Sequence, residues 1–160
     1  MTIKVGDSIP SAKLMMATAE GPKEVTTEEL FGGKTVVLFG VPGAFTPTCS
    51  AKHLPGFVTN IAALKGKGVD MVACIAVNDV FVMGAWGKDQ GVGENVAMLA
   101  DGSAAFTKAM GLEFDLTARG LGVRSQRFVL VAKNGVVTHV AVEAPGAFEV
   151  SSAEAVLAAL

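Results

Sequence analysis

The run "TVVLFGVPGAFTPTCSAKHLPGFVTNIAALKGKGVDMVACIAV", Thr35 to Val77, decides how the chain is built. Its two ends, "TVVLFGV" (Thr35 to Val41) and "VDMVACIAV" (Val69 to Val77), are short, apolar and rich in β-branched residues, as buried strands are. The middle suits a helix that opens at Thr46 and stops at the glycines after Leu64. Thr46 is a good N-cap, and Pro47 fits the first helical position, where a missing N–H leaves nothing unpaired. Strand, helix and strand at this spacing form a βαβ unit, with parallel strands and a right-handed crossover.

Outward from that unit, "DVFVMGAWGKDQ" reads as a second helix, "VAMLAD" as a strand and "SAAFTKAM" as a short helix. In "RFVLVAKNGVVTHVAV" the pair Asn134-Gly135 lies between two β-rich runs, the preferred signal for a two-residue type I′ hairpin. The closing "SSAEAVLAAL" is a helix with its N-cap at Ser151 or Ser152. No repeat, low-complexity tract or Pro/Gly/Ser-rich linker interrupts the chain, so residues 1–160 read as a single domain. The expected architecture is a thioredoxin-like α/β fold: a mixed sheet with a βαβ core, a C-terminal antiparallel hairpin, and helices on both faces.

Composition narrows the function. Hydrophobic residues make up 51% of the 160 and charged residues 18%, which excludes a disordered chain. A net charge of −2 with scattered Lys and Arg argues against nucleic acid or an anionic membrane as partner. The longest uncharged stretch, Thr35 to Ala51, holds two prolines and two glycines and is no membrane span. The start "MTIKVGDSIP" has neither an apolar h-region nor an Arg-rich amphipathic stretch, and the chain has only two cysteines. The expectation is a cytoplasmic protein in a reducing compartment, not a disulfide scaffold. So apolar a composition in so small a domain also leads us to expect a homodimer.

Cys49 falls in the first turn of the expected helix, where the dipole and free backbone N–H groups favour the thiolate. A thiolate is both nucleophile and metal ligand. Two Cys and two His, with His139 far off in the hairpin, are too few for a zinc site. A dithiol exchanger needs Cys-x-x-Cys, and Lys52 stands at the fourth position. His53, four residues on, is placed to act as a base for a hydrolase, but no orienting Asn or Asp signal accompanies it. We read His53 as a helix-surface residue near Pro55. No metal and no cofactor are expected.

Pro42, Thr46 and Cys49 in "PGAFTPTC" fit the Pro-x-x-x-Thr-x-x-Cys signature of peroxiredoxins. With "SAKHLPGF" following, the chain most resembles the type II, or peroxiredoxin-5-like, group. "KVGDSIP", "VACIAVNDVFVMGAW" and "RSQRFVLV" extend the resemblance over nearly the whole length. The resemblance implies a thiol peroxidase that reduces hydrogen peroxide and alkyl hydroperoxides through a sulfenic acid at Cys49. An external thiol (glutathione with glutaredoxin, or thioredoxin) would recycle it. By the same resemblance the peroxidatic cysteine is Cys49, the active-site threonine Thr46, the proline Pro42 and the arginine Arg127, with Arg124 the other candidate. Elementary chemistry agrees. Cleaving an O–O bond by thiolate attack calls for donors aimed at the oxygens as charge develops, and a guanidinium carries several in one plane. Arg127 opens an antiparallel strand and should therefore lie at the edge where the strand before Cys49 ends.

Some members of the group carry a resolving cysteine near the C-terminus, where this chain has "PGAFEVSSAEAV" and none. Cys74, mid-strand in an apolar run, reads as a structural residue. A one-cysteine peroxidase is the favoured reading. A redox sensor or relay that passes oxidation from Cys49 to a partner protein is the alternative, and a holdase using apolar surface is a weaker third.

Overall fold

Along β3 (Thr35–Gly40), Val37 and Phe39 belong to one apolar layer and Val36 and Leu38 to the other, and all four are fully buried. A strand whose alternate side chains are both buried needs cover on both faces of its sheet. The computed structural model, which describes residues 1–160, supplies it. The main sheet has seven strands in the order β2-β1-β5-β4-β3-β8-β9: β2 (Gly21–Thr26), β1 (Lys13–Thr18), β5 (Ala97–Ala100), β4 (Met71–Ala76), β3, β8 (Phe128–Lys133) and β9 (Val136–Val142). β3, β4 and β5 run parallel, and β1 and β8 border them antiparallel.

One face is covered by α2 (Leu54–Thr59), α3 (Ile61–Gly66), α4 (Val80–Asp89) and α6 (Ala153–Ala159), with Phe57, Leu64, Trp86 and Val156 in a layer that also holds both cysteines. On the other face α1 (Thr27–Phe31) and α5 (Ala105–Ala109) contribute Leu30, Phe31 and Phe106. The thioredoxin-like α/β architecture expected from the sequence is the one observed. No helix is long and apolar enough to cross a membrane.

The C-terminal hairpin turns at Asn134 (φ 48°) and Gly135 (φ 77°), the positive values a type I′ turn requires. Asn134 Oδ1 also accepts from Gly33 N at 2.7 Å, tying the turn to the loop before β3. Ser152 caps α6 by accepting from Ala155 N at 3.1 Å.

Two expectations are corrected. The long helix after Thr46 is three pieces: a π-helical turn at Cys49–His53, then α2, then α3 beyond a break at Asn60. Asn60 ends α2 because its side-chain amide bonds back to Gly56 O at 2.7 Å while its own backbone leaves helical values (φ −98°, ψ 12°). Thr46 does not cap the helix through its side chain: no backbone N–H donates to its hydroxyl, which itself donates backwards to Gly43 O at 2.7 Å. The sequence also hid the β1–β2 hairpin and a small ribbon of β6 (Glu113–Leu116) and β7 (Gly122–Ser125), joined through a 3₁₀ turn at Thr117–Arg119.

Candidate active site

The antiparallel register of β3 and β8 sets Gly40 opposite Phe128, so Arg127 lies just where β3 ends and the loop to Cys49 begins. Gly40 is required there: a Cβ would sit 2.0 Å from Cε1 of the Phe128 ring. The following loop turns at Phe45, which takes a left-handed φ of 63°, and is pinned where Ala44 N donates to Asn78 Oδ1 at 2.9 Å. Cys49 then opens the π-helical turn with no solvent exposure.

Arg127 bridges this turn. Its Nη2 donates to Cys49 Sγ at 3.1 Å and its Nη1 to His53 Nδ1 at 2.9 Å. His53 Nε2 bonds to the Ser151 carbonyl at 2.9 Å. A carbonyl only accepts, so Nε2 carries the ring proton and Nδ1 offers the guanidinium a lone pair. The charge state agrees. Burial and then the Arg127 charge push the His53 pKa down to about 3, and the ring is neutral at ordinary pH. The ring lies 4.9 Å from Phe39 and 5.0 Å from Phe148, centroid to centroid. His53 is thus not the surface residue we expected. Only a burial signal could have shown this, and spacing alone carries none. The wide turn from Cys49 to His53 shifts the phase of the side chains and turns the ring inward.

Arg124 is placed otherwise. Its Nε donates to Leu121 O at 2.9 Å and its Nη1 reaches Pro42 O at 3.4 Å, so it ties the β6–β7 ribbon to the active-site loop. Pro42, Thr46 and Arg127 line a cleft of about 560 Å³, to which Phe114, Leu116 and Leu121 of the ribbon contribute apolar surface. Glu143 and the loop after it also line the cleft, a contribution that no local motif announced. Cys74, opposite Phe39 in the sheet register, is also fully buried. Burial first, and then the neighbouring Cys49, push its thiol well above the usual value. Both cysteines are free thiols.

A thioredoxin-like domain that sets a buried cysteine at a helix start against a guanidinium defines a thiol-based redox protein. Residues 4–157 match the Redoxin family, and the chain belongs to that family as a peroxiredoxin, a thiol peroxidase. It is 49% identical over 163 residues to chloroplastic peroxiredoxin-2E of Arabidopsis thaliana, covering 99% of this chain and 70% of that one. With peroxiredoxin-2C of Oryza sativa subsp. japonica it shares 49% identity, over 99% of this chain and 98% of the other. A crystal structure of reduced Prx3 in complex with hydrogen peroxide, from Vibrio vulnificus, superposes with a TM-score of 0.94 at 54% identity, over 99% of each chain.

Proposed function

We propose that Cys49 is the peroxidatic thiol and that Arg127, Thr46 and Pro42 complete its site. The observation that carries this is the 3.1 Å contact of Arg127 Nη2 with Cys49 Sγ inside the Pro-x-x-x-Thr-x-x-Cys loop. In the step we infer, the sulfur attacks the terminal peroxide oxygen and the O–O bond breaks. The other oxygen leaves with the bonding pair and takes a proton, giving water or an alcohol, while Cys49 is oxidised by two electrons to the sulfenic acid. Arg127 donates to the oxygens as charge builds. Because the Thr46 hydroxyl already donates to Gly43 O, its free lone pairs suit it to accept the peroxide O–H. Pro42 walls the cleft.

Recycling then requires an external thiol, which attacks the sulfenic acid sulfur and releases water, and a second thiol to reduce the mixed disulfide. Glutathione with glutaredoxin, or thioredoxin, fits this chemistry in a reducing cytoplasm. Hydrogen peroxide and alkyl hydroperoxides both fit a cleft with apolar surface. We also propose a homodimer, favoured by Phe81 at 73% exposure and Phe45 at 52%.

The deciding experiment supplies peroxide and compares glutathione, glutaredoxin and thioredoxin systems as electron donors. One of them should sustain turnover, and single oxidation without turnover would favour the relay. Cys49→Ser should abolish peroxide consumption, and Cys74→Ser should retain it per folded molecule. Mass spectrometry after one equivalent of peroxide should find the oxidation on Cys49. A dominant Cys49–Cys74 disulfide together with an inactive Cys74→Ser variant would overturn the one-cysteine reading.

A further inference from the structure

Glu143 is the only carboxylate lining the cleft, yet its hydrogen bonds all go into the chain around it. It follows directly on β9, and its N–H donates to Arg127 O at 2.9 Å. Its side chain reaches forward along the sequence. Oε2 accepts from the backbone N–H groups of Glu149, Val150 and Ser151, each at 2.8 Å, and from Ser151 Oγ at 2.7 Å. Glu143 is 6% exposed and Ser151 not at all. Burial alone would push this carboxyl up, but the bonds from Ser151, Glu149 and Val150 overcome it and hold the group below its usual range.

Ser151 is therefore gripped at both its N–H and its hydroxyl, and its carbonyl is what receives His53 Nε2–H. His53 Nδ1 then takes Arg127 Nη1, which leaves Nη2 for Cys49. The circuit starts on the backbone of Arg127 and returns to its guanidinium. We propose that the Glu143 carboxylate is a positioning residue for peroxide reduction, which by clamping Ser151 sets the carbonyl that orients His53 and so aims Arg127 at Cys49. The inference rests on the role given to Arg127 above. Its reason for being a carboxylate is capacity. One oxygen accepts four donors here, which suits an ionised acceptor whose bonds are roughly twice as strong as neutral ones. A neutral amide would hold the loop in place only loosely.

The test is a double-mutant cycle read by stopped-flow measurement of the rate constant for peroxide with reduced protein. Glu143→Gln is made alone and in an Arg127→Gln background, with melting temperatures taken in parallel. Glu143→Gln alone should slow the reaction by about tenfold or more, because a small misplacement of a donor is felt strongly in the transition state. With Arg127 already removed, the same change should cost less than about twofold, since coupled positions are not additive. In ¹⁵N-histidine spectra the wild type should show a single Nε2–H tautomer for His53, and Glu143→Gln should show exchange.

A folded Glu143→Gln protein reacting at the wild-type rate overturns the proposal. So does an equal loss in both backgrounds, which would make Glu143 a support of the loop alone. An Arg127→Gln protein that reacts at the wild-type rate removes the reading of Arg127 itself, and this inference with it. Should Glu143→Gln fail to fold, Ser151→Ala replaces it in the cycle, because it keeps the carbonyl and loses one of the four clamp bonds. A loss there as large without Arg127 as with it also overturns the proposal.

Discussion

Arg127 and Arg124 lie three residues apart and do different things. Arg127 hydrogen-bonds Cys49 Sγ and His53, whereas the hydrogen bonds of Arg124 go to backbone carbonyls. Arg127→Gln should therefore slow peroxide attack by about 10² to 10³, the usual cost of losing one positioned donor to a developing charge. Arg124→Gln should cost far less, because it loosens the ribbon and leaves the sulfur's donor in place. Initial rates for the two variants, normalised to folded protein, check the distinction. His53 gives a second prediction. The folded protein keeps it neutral down to about pH 3, whereas the unfolded chain protonates it near 6.5. Between those values the unfolded state holds the extra proton, so its stabilising contribution is full above about 6.5 and falls as the pH is lowered, by about 1.4 kcal/mol per pH unit. Urea unfolding at several pH values in that window should show the slope, and His53→Gln should flatten it. A slope unchanged by the substitution would mean that the ring is not buried and neutral as described.

At the scale of elements, the join between β3 and β8 carries the site. Gly40→Ala would drive a methyl into the Phe128 ring, and the displaced ring is the immediate neighbour of Arg127. The expected loss is about 1–3 kcal/mol of stability, as for other overpacked positions. Peroxide reactivity should fall as well, even at temperatures where the variant is fully folded. Thermal melts and peroxide rates on the same preparation separate the two effects. The two strands of this join were legible in the sequence, since "TVVLFG" and "RFVLVAK" are apolar, β-branched runs, and Asn134-Gly135 dictates the hairpin partner of the second. The β1–β2 hairpin was not. β2, "GPKEVT", is an edge strand with three consecutive exposed residues, one of them a proline, so it lacks the pattern of a buried strand. β6 and β7, four residues each, are too short to show one. Cys49, Thr46 and Pro42 could be singled out because they form a local motif, and Arg127 because the family resemblance marks it, with the strand topology in agreement. The clamp from Glu143 to Ser151 could not, since it joins side chain to backbone across an irregular loop that leaves no periodic signal.

For the molecule as a whole, the exposed rings of Phe45 and Phe81 belong to two elements linked through Trp86. Phe45 lies 6.5 Å from the Trp86 ring, and Phe81 is in the first turn of the helix that bears it. Light scattering at tens of micromolar, the order at which modest self-association is read, should give twice the chain mass. Phe81→Glu should shift the protein toward monomer with little change in its melting temperature, because so exposed a side chain contributes little to the core. A wild-type protein that scatters as a monomer rules out the pairing.

The position of β8 in the sheet has a further consequence. Cys49 finds its donor 78 residues later in the chain, on a strand that must slot between β3 and β9. During synthesis the cysteine therefore leaves the ribosome long before the arginine that equips it, and the clamp residues emerge later still. Until the last hairpin docks, the thiol has no guanidinium beside it. On the role proposed for Arg127, reactivity toward peroxide is thus acquired on completion of the fold, and a stalled or truncated chain should lack it.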